Sequence, residues 1–174
     1  MKSSYSRSLL GRSSTLAILA MLGVADPAGA VDITINGENR PGVSNAGLLD
    51  FIEITDSTIN GNVTNLPAGV IDPNGGNGIT VDNFSIVTGS VINQGRIIDA
   101  SSGIAIYDSS IGGNVQNTGT IEANYGFWIS SSTVNGSILN SGRMEVTQTG
   151  IGVTDMLVRG NVVNSGTIDS SDLG

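Results

Sequence analysis

The sequence predicts an all-β solenoid, a single-stranded parallel β-helix of about five coils of roughly 24 residues with three short strands each. Three observations carry that expectation. The first is a repeat: glycines at 78, 103, 126, 150 and 174 open successive copies of one pattern, at intervals of 25, 23, 24 and 24 residues. The second is alternation within each copy. Ile104 and Ile106, then Ile111 and Val115, keep the two-residue rhythm of a strand with one buried face, and no stretch shows helical spacing. The third is composition. Hydrophobic residues make up 39% of the chain and aromatics only 4%, so the core must come from β-branched Ile and Val, which suit strands.

The clearest copy runs Gly103-Ile104-Ala105-Ile106-Tyr107-Asp108-Ser109-Ser110-Ile111-Gly112-Gly113-Asn114-Val115-Gln116-Asn117-Thr118-Gly119-Thr120-Ile121. Other positions keep its phase: Asn93, Asn117, Asn140 and Asn164; Gly95, Gly119, Gly142 and Gly166; Ile97, Ile121, Met144 and Ile168. A looser copy starts at Phe51, where Ile52 to Ile59 matches Ile104 to Ile111; Leu66-Pro67-Ala68 and Pro73-Asn74-Gly75-Gly76 then read as loop insertions. One such coil cannot bury its inner face alone and must stack on its neighbours. Stacked coils pair their strands in parallel at about 4.8 Å per coil, so five coils make a rod of roughly 24 Å. The Asn following Val115 by two residues points inward at a turn, where stacked Asn side chains bond to one another and to the turn backbone. The glycines read as turn residues needing positive φ or a tight inner corner.

Ahead of the repeats, residues 1–30 have the three parts of a secretory signal peptide. Lys2, Arg7 and Arg12 give a positive start, residues 15–25 an apolar core, and Ala28-Gly29-Ala30 a cleavage site. The expected organisation is a signal peptide over 1–30, a lead-in or cap over 31–50, and β-helix repeats over 51–174 that break off inside a copy. Cleavage after Ala30 leaves four Arg against fourteen Asp and Glu, a net charge of −10. That charge argues against nucleic-acid binding, which needs a basic face. The chain has no Cys and no His, which excludes thiolate metal sites, Cys nucleophiles and a His general base.

Acidic residues follow the repeat. Asp72, Glu122, Glu145 and Asp169 each lie three residues beyond a turn glycine, and Asp99 four beyond. They read as an outward acidic row offset by Arg96 and Arg143; bridging Ca²⁺ and paired-carboxylate chemistry are the alternatives. Asp56, Asp108 and Asp155 share a corner register that Asx-turns explain. Trp128, between inward Phe127 and Ile129, points outward, where a sugar or a partner would meet it. No non-repeating cluster of Asp, Arg or Lys stands out, so no catalytic, cofactor-binding or metal residue is assigned and no cofactor is implied.

The export signal followed by Ser110-Ile111-Gly112-Gly113-Asn114-Val115-Gln116-Asn117-Thr118-Gly119-Thr120-Ile121, echoed around Val91, Ile138 and Val162, resembles the passenger region of Gram-negative autotransporters. The resemblance covers 51–174 and the signal. It implies a right-handed parallel β-helix shown at the cell surface, with an adhesion or virulence role, carried there by a C-terminal outer-membrane barrel that is absent from this sequence. On this reading the chain is the N-terminal part of such a passenger. It is exported to the periplasm, cell surface or outside, is not an enzyme, and acts on a surface or host partner, with carbohydrate among the candidates. Self-association through the open solenoid end is also expected. The alternative is a fragment of a secreted β-helical polysaccharide lyase or hydrolase. Ice binding would need a Thr row, but the positions concerned are Thr80, Ala105, Trp128 and Gly152.

Overall fold

The computed structural model describes residues 32–171. The expected export signal and Gly174 lie outside the described residues. The chain winds as a parallel β-helix, as the repeat predicts, and right-handed, as the autotransporter resemblance implies. The winding begins with β1 (Ile33–Asn36), β2 (Asn39–Asn45) and β3 (Leu48–Leu49). Next come β4 (Ile52–Thr55), β5 (Thr58–Asn65) and β6 (Val70–Ile71), then β7 (Asn77–Asp82), β8 (Ile86–Val87) and β9 (Val91–Asn93). The regular coils follow as β10 (Arg96–Tyr107), β11 (Ser110–Ile111) and β12 (Val115–Asn117), and as β13 (Thr120–Ser130), β14 (Thr133–Val134) and β15 (Ile138–Asn140). The last strands are β16 (Arg143–Thr154), β17 (Leu157–Val158), β18 (Val162–Asn164) and β19 (Thr167–Ser170). One sheet runs β1-β4-β7-β10-β13-β16-β19, and β17-β14-β11-β8-β5-β9-β12-β15-β18 forms the other.

Within residues 31–50, expected as a lead-in or cap, residues 33–49 carry a coil of the same kind. β1 pairs with β4, β2 with β5 and β3 with β6, all in parallel. Three strands per coil is also observed, but one of the three is long. In β10 and β13 a single strand bends around a corner, where its register slips between Ile97 and Ala100 and between Ala123 and Tyr125.

Alternation places the core as expected. Ile59, Val87, Ile111 and Val134 stack in one fully buried column, and Val63, Val91, Val115 and Ile138 in another. Burying each such side chain contributes about 1.5–3 kcal/mol. Differences in coil length are confined to the corners. The interval of 25 between Gly78 and Gly103 comes from one extra residue in the corner Asp82-Asn83-Phe84-Ser85, where Asn83 and Phe84 both take positive φ, 55° and 63°.

Three polar ladders close the corners. The expected Asn column is longer than its sequence spacing showed: Asn45, Asn65, Asn93, Asn117, Asn140 and Asn164 are joined by Nδ2–H···Oδ1 bonds of 2.8–2.9 Å. A second ladder alternates Asn and Ser: the amides of Ser90, Asn114, Ser137 and Asn161 donate to the side-chain oxygens of Asn62, Ser90, Asn114 and Ser137. A third uses serine hydroxyls, with the amides of Glu38, Ser57 and Ser109 donating to Ser57, Ser85 and Ser132. It breaks at Ser85, whose amide turns to the Asp82 carbonyl at 3.2 Å across the enlarged corner. The Ser109 hydroxyl is left buried without a partner.

Close approach, rather than positive φ, accounts for the repeating turn glycines. A Cβ on Gly119, Gly142 or Gly166 would fall on the carbonyl oxygen of the glycine one coil before. Left-handed backbone is taken up instead by corner residues such as Asp56, Asp108, Ser131 and Asp155, at φ 46–50°. Short polar side chains tolerate that region better than bulky ones.

Candidate functional site

Four of the expected acidic residues share a column: Glu122 is the register partner of Glu145 and Glu145 of Asp169, and Asp72, after Ile71, stands two coils before Glu122 with Ile98 between them. Arginines from the neighbouring outward position tie down Glu122, Glu145 and Asp169. Arg96 meets Glu122 at 3.1 Å, while Arg143 meets Glu145 at 2.7 Å and Asp169 at 3.1 Å. Asp99 stands outside this column. It occupies the bend of β10 with φ 52°, and Ile98 follows Ile97 at the position matching Glu122. Among the described residues, no group of three or more Asp or Glu is placed to hold a metal ion.

The outer face of β4, β7, β10 and β13 is different. Here side chains that depart from the repeat converge, which reading along the chain did not reveal. A hollow of about 250 Å³ is lined by Phe51, Glu53, Asn77, Thr80, Asp82 and Tyr107, with Gly76 at its margin. Each strand contributes outward positions by alternation. Glu53 is the register partner of Thr80, and Thr80 of Ala105. Asp82 and Tyr107 stand in a row otherwise occupied by Asn36, Thr55, Ser130 and Thr154. Phe51 precedes Ile52, the partner of Ile79, and so takes the place that Gly78 holds in the next coil.

One wall of the hollow is the expected loop insertion, and backbone bonds pin it to the next coil. The Gly75 amide donates to the Asp99 carbonyl at 2.7 Å, and the Ser101 amide to the Gly76 carbonyl at 2.6 Å. Asp82 accepts a hydrogen bond from the Thr55 hydroxyl. Burial raises the Tyr107 phenol above its ordinary range and the Asp82 charge adds to the shift, while hydrogen bonds to Asn77 and Ser102 oppose it. At neutral pH the phenol is therefore protonated beside two carboxylates. Neither Glu53 nor Asp82 has an ion-pair partner among the described residues.

Further along the same face, Trp128 follows Ala105 in register and Gly152 follows Trp128. Trp128 is partly exposed between buried Phe127 and Ile129, and its ring packs against Tyr125 with centroids 4.8 Å apart at 53°. Such a tilted pair is a favoured aromatic geometry. The signals that mark this face are departures from the repeat: Phe where the following coils have glycine, Asp and Tyr in a row of small uncharged Asn, Ser and Thr, and an insertion beside them.

Stacked parallel coils and buried polar ladders define a repeat protein of the parallel β-helix class. The chain belongs to the family described as the BigA third pectate lyase-like domain, whose pattern matches residues 6–172. No curated protein and no solved structure matches it.

Proposed function

We propose that this chain is an exported structural and interaction protein, a β-helical segment of an autotransporter-like surface passenger with an adhesive role. The observation that carries this reading is the acidic column. Its carboxylates follow the repeat, and Glu122, Glu145 and Asp169 pair with Arg96 and Arg143, which is how a scaffold face is built. Membership of a β-helical family and the export-type start at Lys2 to Ala30 support it. The long polar ladders serve the same end, because satisfied buried polar groups give each coil one register on the next. Binding by the outer face, without turnover, is the activity such a rod offers.

Export is tested by fractionating cells that express the chain and sequencing the N-terminus of the recovered protein. A mature start near Val31 in a periplasmic, surface or secreted fraction is expected; full-length protein confined to the cytosol overturns the proposal. Activity is tested by incubating the mature chain with acidic and neutral polysaccharides, with and without Ca²⁺. Turnover abolished by Glu53→Gln or Asp82→Asn replaces the scaffold reading with an enzymatic one.

A further inference from the structure

We infer that the hollow between Phe51, Glu53, Asp82 and Tyr107 receives a cationic head group, a guanidinium or ammonium, from a basic segment of a protein partner. This rests on the interaction reading above and names the chemistry of the partner.

The first argument is where the repeat breaks. A solenoid gives every coil the same outward rows, so residues kept only for stacking recur. Phe51, Asp82 and Tyr107 each depart from their column or row, they lie on three successive coils, and all three line one hollow beside the insertion. The second argument is charge. Glu122, Glu145 and Asp169 are held by arginines, whereas Glu53 and Asp82 meet no cation among the described residues. Two carboxylates without counter-charge repel an anionic ligand, and a cationic one relieves them. The mature chain's net charge of −10 adds steering toward basic partners.

The third argument is the walls. Two aromatic residues, Phe51 and Tyr107, line it, and aromatic rings attract guanidinium and ammonium groups. Asn77, Thr80 and Tyr107 add neutral polar groups to the lining, and each side chain carries an oxygen that can accept from a cation. The loop that forms one side is held by its bonds to Asp99 and Ser101, so little ordering accompanies binding. At about 250 Å³ the hollow is smaller than the ≈ 300–1,000 Å³ of most small-molecule sites, and suits a single head group at the end of a side chain. Among the described residues, no group of three or more Asp or Glu is placed to hold a metal ion.

The test is a titration of the mature chain, followed by fluorescence anisotropy, with three labelled peptides of equal length: one bearing several Arg, one neutral and one acidic. Two double variants carry the same change of charge, Glu53→Gln with Asp82→Asn, and Glu122→Gln with Glu145→Gln. Circular dichroism confirms that each keeps its β spectrum. The Arg peptide alone should bind, losing about tenfold or more in affinity, about 1.4 kcal/mol, in the first double variant and less than about twofold in the second. Phe51→Ala, which leaves the charge intact, should weaken binding too.

Equal losses in both double variants would reduce the effect to general acidity and overturn the proposal. So would the absence of Arg-peptide binding, or binding that persists in Phe51→Ala and the first double variant. Competition by a neutral oligosaccharide or by Ca²⁺ at the same residues would assign the hollow to that ligand instead. None of these results bears on export, which the fractionation experiment decides separately.

Discussion

Trp128 lies across the bare backbone of Gly152, one coil further on. A Cβ built on Gly152 would stand 2.5 Å from Cε3 of the indole and 2.7 Å from Cζ3. Trp128 is the sole tryptophan of the chain, so tryptophan emission reports on this one site. Gly152→Val should push the ring off its seat and away from Tyr125, shifting the emission to the red. An unchanged spectrum would show that the indole does not rest there.

The Asn ladder makes a graded prediction. Asn117 accepts from Asn93 at 2.8 Å and donates to Asn140 at 2.9 Å, to the Arg143 carbonyl at 3.2 Å and to the Gly119 carbonyl at 3.3 Å. Asn117→Ala leaves buried groups unpaired at about 1–3 kcal/mol each, so urea denaturation should show a loss of about 2 kcal/mol or more. Asn164 is exposed, and water can replace its side chain. Asn164→Ala should therefore cost less than about 1 kcal/mol, because the penalty comes from unsatisfied buried groups. Equal losses at the two positions would contradict the ladder as the source of the effect.

Arg143 spans Glu145 and Asp169, but all three side chains are about half exposed. Exposed pairs contribute about 0–1 kcal/mol each, and salt screens them. Arg143→Ala should lower stability only slightly at low salt, and the difference should shrink further at high salt. A large, salt-independent loss would mean that the acidic column is a structural core element and not a surface row.

Tyr107 predicts an alkaline limit. Its folded pKa lies above the ordinary value of 10.0, so the unfolded chain releases this proton first. The stability contributed by the protonated phenol is full below that value and is lost as pH rises through the folded one. Denaturant midpoints should fall more steeply above about pH 10 for the native chain than for Tyr107→Phe. Parallel curves would show that the phenol is not held in the hollow.

The sequence by itself determined the architecture and most of the inside. Identical residue types recurring near every 24 positions have one economical explanation, stacked coils. Alternation then separated Ile104, Ile111, Val115 and Asn117, which are all buried, from their outward neighbours. Arg96 and Arg143 could be set beside the acidic column because strict register carries a local sequence offset into space. Residues 33–49 were harder to read, since Asn39 to Asn45 follows the repeat only loosely, and their membership of the stack rests on strand pairing.

Only the tertiary structure decided how the corners are built and where the pattern breaks usefully. Whether a glycine serves positive φ or close approach depends on the coil behind it, and here the carbonyl of the preceding glycine fills the space. Asp99 left the acidic column because the strand bends at that residue, and a bend of one residue changes which side chains share a face. The hollow was hidden for the same reason. Alternation says that Glu53, Asp82 and Tyr107 point outward, but it does not say which outward rows adjoin, nor that the insertion folds back against them. That depends on coil-to-coil register and on the bonds from Gly75 and Gly76 to the next coil, contacts between residues distant in sequence.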